Sequence, residues 1–126
     1  MNEEKLLSII VPIYNEEKTI LNVLVNLSKL KKKSELIEII VVNDGSNDNS
    51  LKILDENKSL YDCLISNIHN KGKGNAVKSA LEKTSGKYIT FQDADLEYDP
   101  ADFLKFINLI NKFSPDLIIG SRFNYA

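Results

Sequence analysis

The chain has 126 residues, of which 43% are hydrophobic and 27% charged, the composition of a globular domain rather than of a disordered chain. Its net charge of −2 argues against a protein that binds nucleic acid through bulk electrostatics. A single cysteine and a single histidine argue against an internal disulfide, a zinc cluster and a Ser-His-Asp triad. No apolar run approaches the roughly 20 residues of a membrane span, and the acidic start is unlike a signal peptide. We therefore expect a cytoplasmic protein.

The pattern of apolar residues in the first half of the chain predicts strands that alternate with helices. Continuous β-branched runs are typical of buried parallel strands, whereas apolar residues at every third or fourth position indicate a helix. The predicted elements are a strand over 6–13, a helix over 18–30, a strand over 36–42, a turn over 43–46 and a helix from Asp48 or Asn49 to about Asn57.

The second half continues the alternation. It predicts a strand over 61–66, a glycine-lysine loop over 70–75, a helix over 76–83 closed by Gly86, a strand over 88–92, an acidic loop over 93–100, a helix over 102–113 and a strand over 117–119. Such alternation indicates an α/β fold with an open, mostly parallel, Rossmann-like sheet and helices on both faces. We expect a single domain over 1–126.

The unusual polar residues follow the predicted strands. Tyr14 and Glu16 come after the first strand, and Asp44 follows the second. Asp93 and Asp95 follow the fourth strand, and Arg122, the single arginine, follows the fifth. Because ligands of open parallel sheets bind outside the carboxyl ends of the strands, we expect these side chains to converge on one edge.

The segment from Gln92 to Glu97 carries the strongest chemical signal. The carboxylates of Asp93, Asp95 and Glu97 alternate along the chain and can point to the same side of an extended segment. Three oxygen donors without histidine or cysteine suit Mg²⁺ or Mn²⁺. The alternative is a solvated acidic loop, which the buried strand immediately before it disfavours.

The remaining motifs are ambiguous when each is taken alone. Asp44-Gly45 could be a simple turn, or its carboxylate could accept a hydrogen bond from the N–H edge of a nucleobase. Tyr14 could be an ordinary rim aromatic or a flat surface for a base. The loop 70–75 lacks the spacing of a P-loop or of a dinucleotide fingerprint, but its glycines and lysines could meet an anion. Arg122 suits a diphosphate.

Taken in order, these motifs resemble those of the family 2 glycosyltransferases with a GT-A fold. The resemblance spans residues 6–123 and is strongest to the dolichol-phosphate mannosyltransferases and bacterial polyprenyl-phosphate glycosyltransferases. It rests on five segments: Ile10-Val11-Pro12-Ile13-Tyr14-Asn15-Glu16, Val41-Val42-Asn43-Asp44-Gly45-Ser46, Asn70-Lys71-Gly72-Lys73-Gly74, Asp93-Ala94-Asp95-Leu96-Glu97 and Gly120-Ser121-Arg122.

The resemblance implies roles for individual residues. The positions that would hold the nucleoside are Pro12, Tyr14, Glu16, Val42 and Asp44. The Asp93-Ala94-Asp95 positions correspond to the family's DxD-type motif, in which Asp93 would face ribose and metal and Asp95 the metal that bridges the diphosphate. Glu97 matches a further metal ligand, Arg122 a contact of the donor phosphates, and Lys73 a weaker phosphate contact. The implied cofactor is Mg²⁺ or Mn²⁺.

The implied reaction is inverting transfer of a sugar from a nucleoside-diphosphate sugar, with GDP and UDP both open, to a polyprenyl phosphate or a glycan. Members of the family usually run to about twice this length, so we expect the nucleotide-sugar-binding half, truncated after residue 126. The full-length enzyme would work at the inner face of the membrane, in envelope glycan biosynthesis. An exposed sheet edge could pair two copies.

Two alternatives to an active enzyme stay open at the level of sequence. A binding-only nucleotide-sugar module would share the donor site but lack turnover. A phospho-receiver signalling domain would share the size, the parallel sheet and the acidic rim. The receiver fits poorly, because it needs adjacent acids after the first strand, where this chain has Pro12-Ile13-Tyr14.

Overall fold

The computed structural model describes residues 5–67 and 78–92. In these residues the chain forms strands β1 (Leu7–Ile13), β2 (Ile37–Asp44), β3 (Cys63–Asn67) and β4 (Tyr88–Phe91), and helices α1 (Ile20–Lys33) and α2 (Ser50–Glu56). A single 3₁₀ turn, Lys58–Leu60, precedes β3, and residues 78–81 are helical. None of the helices in this part of the chain is long and apolar enough to cross a membrane.

The four strands form one parallel sheet in the order β3-β2-β1-β4. The predicted α/β class and parallel sheet are thereby confirmed. The order also argues against the receiver alternative, because in a receiver sheet β1 lies between β2 and β3. Here β1 lies between β2 and β4. The predicted fifth strand over 117–119 and the helix over 102–113 lie outside the described residues.

Helices cover both faces of the sheet, as predicted. The larger core cluster joins alternate residues of β1 and β2 to the apolar stripe of α1 and to Leu54 of α2. The stripe consists of Ile20, Leu24, Leu27 and Leu30. On the other face, Ile10, Ile40 and Val42 pack with Ala80 of the helical segment 78–81. Burial on both faces explains why β1 and β2 are apolar runs without alternation.

Several predicted boundaries were wrong by a few residues. Helix α1 continues through Lys31, Lys32 and Lys33, which form its last turn, where positive charge complements the helix dipole. Strand β2 extends through Asp44, so Asn43 and Asp44 belong to the strand rather than to the turn. The extension of β2 follows from pairing with β3, in which Asn43 lies opposite Ser66 and Asp44 opposite Asn67.

Gly86 was predicted to close a helix, and this prediction was wrong. The described helical residues end at 81, and Gly86 does not have the positive φ of a helix-ending glycine. Instead it packs directly on β1, where an added Cβ would lie 2.5 Å from Ser8 Oγ and 2.6 Å from the Ser8 backbone nitrogen. Only glycine permits this approach.

A buried carboxylate lies near the amino ends of β1 and β2. One oxygen of Glu38 accepts hydrogen bonds from the Ser8 hydroxyl (2.5 Å), the Ser85 N–H (2.5 Å) and hydroxyl (2.7 Å), and the Gly86 N–H (3.1 Å). Burial alone would raise the pKa of this carboxyl, but the hydrogen bonds from Ser8, Ser85 and Gly86 hold the pKa below its ordinary value. The cluster ties β1 and β2 to the segment before β4.

Candidate functional site

The carboxyl ends of the four strands lie along one edge of the sheet, which we call the carboxyl edge. Its end residues are Ile13, Asp44, Asn67 and Phe91. From β1 the chain moves outward through β2 to β3 and then returns to β4 on the opposite side of β1. In open α/β sheets, the loops on either side of such a reversal leave the sheet in opposite directions. The crevice between them is where these sheets bind their ligands.

The end of β1 brings three of the predicted site residues to this edge. Pro12 pairs in register with Val42 of β2, and Tyr14 follows the strand with 43% of its surface exposed. Glu16, two residues on, is half-buried. The Tyr14 ring is therefore available to a planar ligand. Val42, a further predicted site residue, is fully buried and exposes no surface at this edge.

Asp44 ends β2 as a buried carboxylate, only 3% exposed. Its Oδ1 accepts a hydrogen bond from Nδ2 of Asn67, the last residue of β3, at 3.1 Å. The next residue, Gly45, has a φ of 70°, a conformation that favours glycine and turns the chain sharply away from the sheet. The carboxylate is thus held at the edge by a neighbouring strand, and such a group can accept an N–H from a ligand.

Asn43 supports the edge from inside. The side chain is 2% exposed, its Nδ2 donates to Ser66 Oγ at 3.2 Å, and its Oδ1 accepts the Ser46 N–H at 3.4 Å. The contacts Asn43–Ser66 and Asn67–Asp44 cross between β2 and β3. They were not anticipated from the sequence, because a run of asparagine and serine predicts only a turn.

Asp48 connects the loops that follow β1 and β2. Its Oδ1 accepts the Ser50 N–H at the start of α2 (2.9 Å), and its Oδ2 accepts the Glu17 N–H from the other loop (3.2 Å). Burial alone would raise the pKa of Asp48, but the hydrogen bonds from Ser50 and Glu17 hold the pKa below its ordinary value. Ser50 Oγ in turn accepts the Glu16 N–H at 2.9 Å. The two loops therefore form one bonded unit.

The other predicted site residues lie outside the described residues: Lys73, Asp93, Ala94, Asp95, Glu97 and Arg122. Gln92, which directly precedes Asp93 in sequence, is 2% exposed at the end of β4. Within 5–67 and 78–92 no group of three or more histidine, cysteine, aspartate and glutamate side chains could hold a metal ion. The predicted metal ligands thus remain a prediction of the sequence.

Known proteins are similar to this chain in both sequence and fold. The chain is 38% identical over 140 residues to a dolichyl-phosphate β-glucosyltransferase of Saccharomyces cerevisiae, covering 96% of this chain and 42% of the relative. It superposes with a TM-score of 0.73 and 25% identity on Staphylococcus aureus TarS in complex with UDP-GlcNAc, covering 86% of this chain and 32% of TarS.

A second solved structure is the mannosyltransferase PcManGT of Pyrobaculum calidifontis in complex with GDP-Man and Mn²⁺. Its TM-score is 0.67 at 26% identity, covering 78% of this chain and 30% of PcManGT. The chain spans about half the length of the curated relatives it matches. A sequence model described as glycosyl transferase family 2 matches residues 8–126. The fold is therefore that of the GT-A glycosyltransferases, and the chain belongs to glycosyl transferase family 2.

Proposed function

We propose that this chain forms the donor-binding half of a metal-dependent, inverting glycosyltransferase. The donor is a nucleoside-diphosphate sugar, and the acceptor is a polyprenyl phosphate or a glycan. The observation that carries the proposal is the meeting of Tyr14, Glu16 and Asp44 at the carboxyl edge, beside the reversal between β1 and β4. Because the chain belongs to glycosyl transferase family 2, sugar transfer is the reaction that we consider first.

The nucleoside subsite lies at the ends of β1 and β2 in this proposal. The exposed ring of Tyr14 offers a stacking surface, worth about 1–3 kcal/mol per base in proteins that stack nucleobases. Asp44 accepts an N–H from the base, and Glu16 accepts a ribose hydroxyl. Uracil and guanine both present an N–H to a carboxylate, so this geometry accommodates either base. The relatives bound to UDP-GlcNAc and to GDP-Man support both choices.

The diphosphate subsite follows β4. Gln92, which directly precedes Asp93 in sequence, is buried just after β4, whose carboxyl end lies on the same edge as Asp44. The donor set of Asp93, Asp95 and Glu97 consists of carboxylate oxygens, which fit Mg²⁺ or Mn²⁺. Such an ion, when bound, neutralises the charge that develops on the leaving diphosphate. Arg122 and Lys73 add positive charge for the same phosphates.

The transfer itself exchanges one bond for another at the anomeric carbon. The acceptor oxygen attacks from the face opposite the diphosphate, the bond to the diphosphate oxygen breaks, and the nucleoside diphosphate leaves with the electron pair. A polyprenyl phosphate is already an anion and needs no base. A glycan hydroxyl must lose a proton to a general base. The S. cerevisiae relative, named for dolichyl phosphate, supports the first acceptor.

The position of the enzyme in the cell follows from that acceptor. We place the full-length protein in the cytoplasm, at the inner face of the membrane, where a polyprenyl phosphate meets a cytoplasmic nucleotide sugar.

A binding-only module is the alternative to turnover. An assay of the full-length protein with a labelled nucleoside-diphosphate sugar and a short-chain polyprenyl phosphate separates the two. Transfer of the sugar supports the enzyme, and binding of the donor without transfer supports the module.

Calorimetric titration of GDP and UDP tests the donor site directly. We expect one of them to bind in the presence of Mn²⁺ or Mg²⁺, and binding to weaken at least tenfold with EDTA or in Asp95→Asn. Asp55→Asn is the matched control, because Asp55 is an exposed aspartate of α2. Binding of neither nucleotide to the folded full-length protein would refute the proposal. Equal binding by Asp95→Asn and wild type would refute the metal assignment.

Self-association is a separate part of the proposal. Strands β3 and β4 form the two borders of the described sheet, and a border strand presents N–H and C=O groups that can pair with another copy. Light scattering over a range of protein concentrations should show a rise in mass towards a dimer. A constant monomer mass at high concentration would refute this part and leave the donor site untouched.

A further inference from the structure

Asn15 has an unusual backbone conformation at the centre of the nucleoside subsite. Its φ is 53°, and no other non-glycine residue in 5–67 and 78–92 has a positive φ. Asparagine tolerates this left-handed region better than most residues, whereas a residue such as alanine pays a steric cost there. Asn15 lies between Tyr14 and Glu16, so its backbone sets the direction in which both neighbours leave β1.

The side chain of Asn15 bonds to the loop that follows β2. Its Oδ1 accepts the Asn47 N–H at 2.7 Å and the Asp48 N–H at 3.3 Å. The backbone N–H of Asn15 donates to Ser46 Oγ at 3.0 Å. One residue of the first loop therefore contacts three consecutive residues of the second, just beyond Asp44 and Gly45.

The other bonds between these loops lie farther along both segments. Glu16 and Glu17 bond to Ser50 and Asp48, and the Asn49 N–H donates to Glu17 Oε2 at 3.2 Å. They hold the start of α2 against the approach to α1. Loss of the Asn15 oxygen leaves these bonds in place, together with the bond from the Asn15 N–H to Ser46, so the fold should persist while the segments adjoining Tyr14 and Asp44 lose two of their three hydrogen bonds.

We propose that Asn15 is a positioning residue of the donor site, one that fixes the distance between the Tyr14 ring and the Asp44 carboxylate without contacting the ligand. The inference rests on the proposed nucleoside subsite. A base held between the ring after β1 and the carboxylate at the end of β2 binds well only if the two groups keep their spacing. When the adjoining loops are ordered before binding, the entropy cost of ordering them no longer weakens binding. Asn15 supplies this order through a backbone angle and an acceptor oxygen.

Three substitutions separate the two contributions. Asn15→Gly keeps access to the positive φ and removes the acceptor. Asn15→Asp keeps both an acceptor oxygen and tolerance of the left-handed region. Asn15→Ala removes the acceptor and adds strain. Asn22→Ala, at an exposed position on α1, is the matched control for loss of an asparagine side chain.

Amide hydrogen exchange, measured without ligand, tests the connection itself. In Asn15→Gly we expect the Asn47 and Asp48 amides to exchange at least tenfold faster, and in Asn15→Asp to stay within about threefold of wild type. Unchanged exchange in Asn15→Gly would refute the connection. This result does not depend on whether a nucleotide binds.

Calorimetry with UDP and GDP then tests positioning in the full-length protein. We expect about tenfold weaker nucleotide binding in Asn15→Gly, a larger loss in Asn15→Ala and recovery to within about threefold in Asn15→Asp, since tenfold corresponds to one ordinary hydrogen bond. Mn²⁺ affinity in the absence of nucleotide should not change.

The outcomes distinguish this inference from the proposed function. If wild type binds a nucleotide and Asn15→Gly binds it equally well, the positioning role is refuted and the donor site stands. If Asn15→Gly loses only unfolding free energy, and its folded form binds as wild type does, the role is structural and the inference is again refuted. If wild type binds neither nucleotide, the proposed function and this inference fail together.

Discussion

Replacing Glu38 by glutamine should destabilise the protein without disturbing the carboxyl edge. Glu38 lies near the amino ends of the strands, is 9% exposed, and accepts four hydrogen bonds on one carboxylate oxygen. Glutamine has the same shape and retains one acceptor oxygen. The substitution therefore removes the negative charge and leaves packing nearly unchanged, which isolates the energetic role of the charge.

The size of the effect follows from the two shortest bonds. The Ser8 hydroxyl and the Ser85 N–H both lie 2.5 Å from Glu38 Oε2, and hydrogen bonds to an ionised carboxylate are charge-assisted. Such bonds contribute about 1.5–3 kcal/mol each, against about 0.5–1.5 kcal/mol for neutral ones. Losing about 1 kcal/mol at each gives an expected decrease of about 2 kcal/mol in the free energy of unfolding at neutral pH.

The pH dependence provides a second, independent test. The pKa of Glu38 is lowered in the folded protein, so its stabilisation is fully present above the ordinary glutamate value of about 4.3 and is lost as the pH falls through the folded pKa. Urea unfolding of wild type and Glu38→Gln, followed by circular dichroism, should therefore give curves that differ at pH 7 and approach each other as the pH falls below the ordinary glutamate value.

The control for this experiment is Glu35→Gln, which changes an exposed glutamate close to the same strand. It should lower the free energy of unfolding by less than about 0.5 kcal/mol. A loss of less than about 0.5 kcal/mol in Glu38→Gln, or a difference from wild type that does not shrink in acid, would refute the argument that a charged acceptor stabilises this cluster.

Three further substitutions should give measurable results. Gly86→Ala places a Cβ 2.6 Å from the Ser8 backbone nitrogen and should cost about 1–3 kcal/mol of stability in urea unfolding; a thermal midpoint equal to wild type would contradict the close contact. Tyr61→Phe removes a 2.7 Å bond to an α2 carbonyl and should cost about 1 kcal/mol; the pKa of Tyr61, raised by burial and by a nearby aspartate, should show as late ionisation in an absorbance titration of wild type. Asn67→Ala frees the Asp44 carboxylate from its 3.1 Å bond and should weaken nucleotide binding about threefold to tenfold in calorimetry, with unchanged binding as the contrary result.

The sheet was predictable from the sequence because its signal is local. The runs Leu7–Ile13 and Ile37–Asp44 consist largely of β-branched and other apolar residues, and burial on both faces of a parallel sheet requires such runs. The alternation with amphipathic helices then limits the topology to parallel crossovers. The same logic predicted that Tyr14, Glu16 and Asp44 share one edge, which the structure confirms.

The supporting contacts were not predictable, because they depend on residues far apart in sequence. Nothing near Asn67 indicates that its amide will bond to Asp44, since register between β2 and β3 decides that contact. Likewise, nothing near Glu38 in the sequence indicates that its carboxylate will accept hydrogen bonds from Ser85 and Gly86, which lie 47 and 48 residues away. Polar residues whose partners lie on other elements carry no periodic signal along the chain.

The parallel pairing of β1 with β4 has a consequence for synthesis of the protein. Leu7 of β1 pairs with Tyr88 of β4, so one border of β1 stays without its neighbouring strand until most of the described chain has left the ribosome. In that interval the nascent chain exposes an apolar, hydrogen-bonding strand border, a feature that promotes aggregation. Contacts between such distant residues also slow folding. Newly made molecules should therefore depend on chaperones most strongly before residues 88–91 emerge.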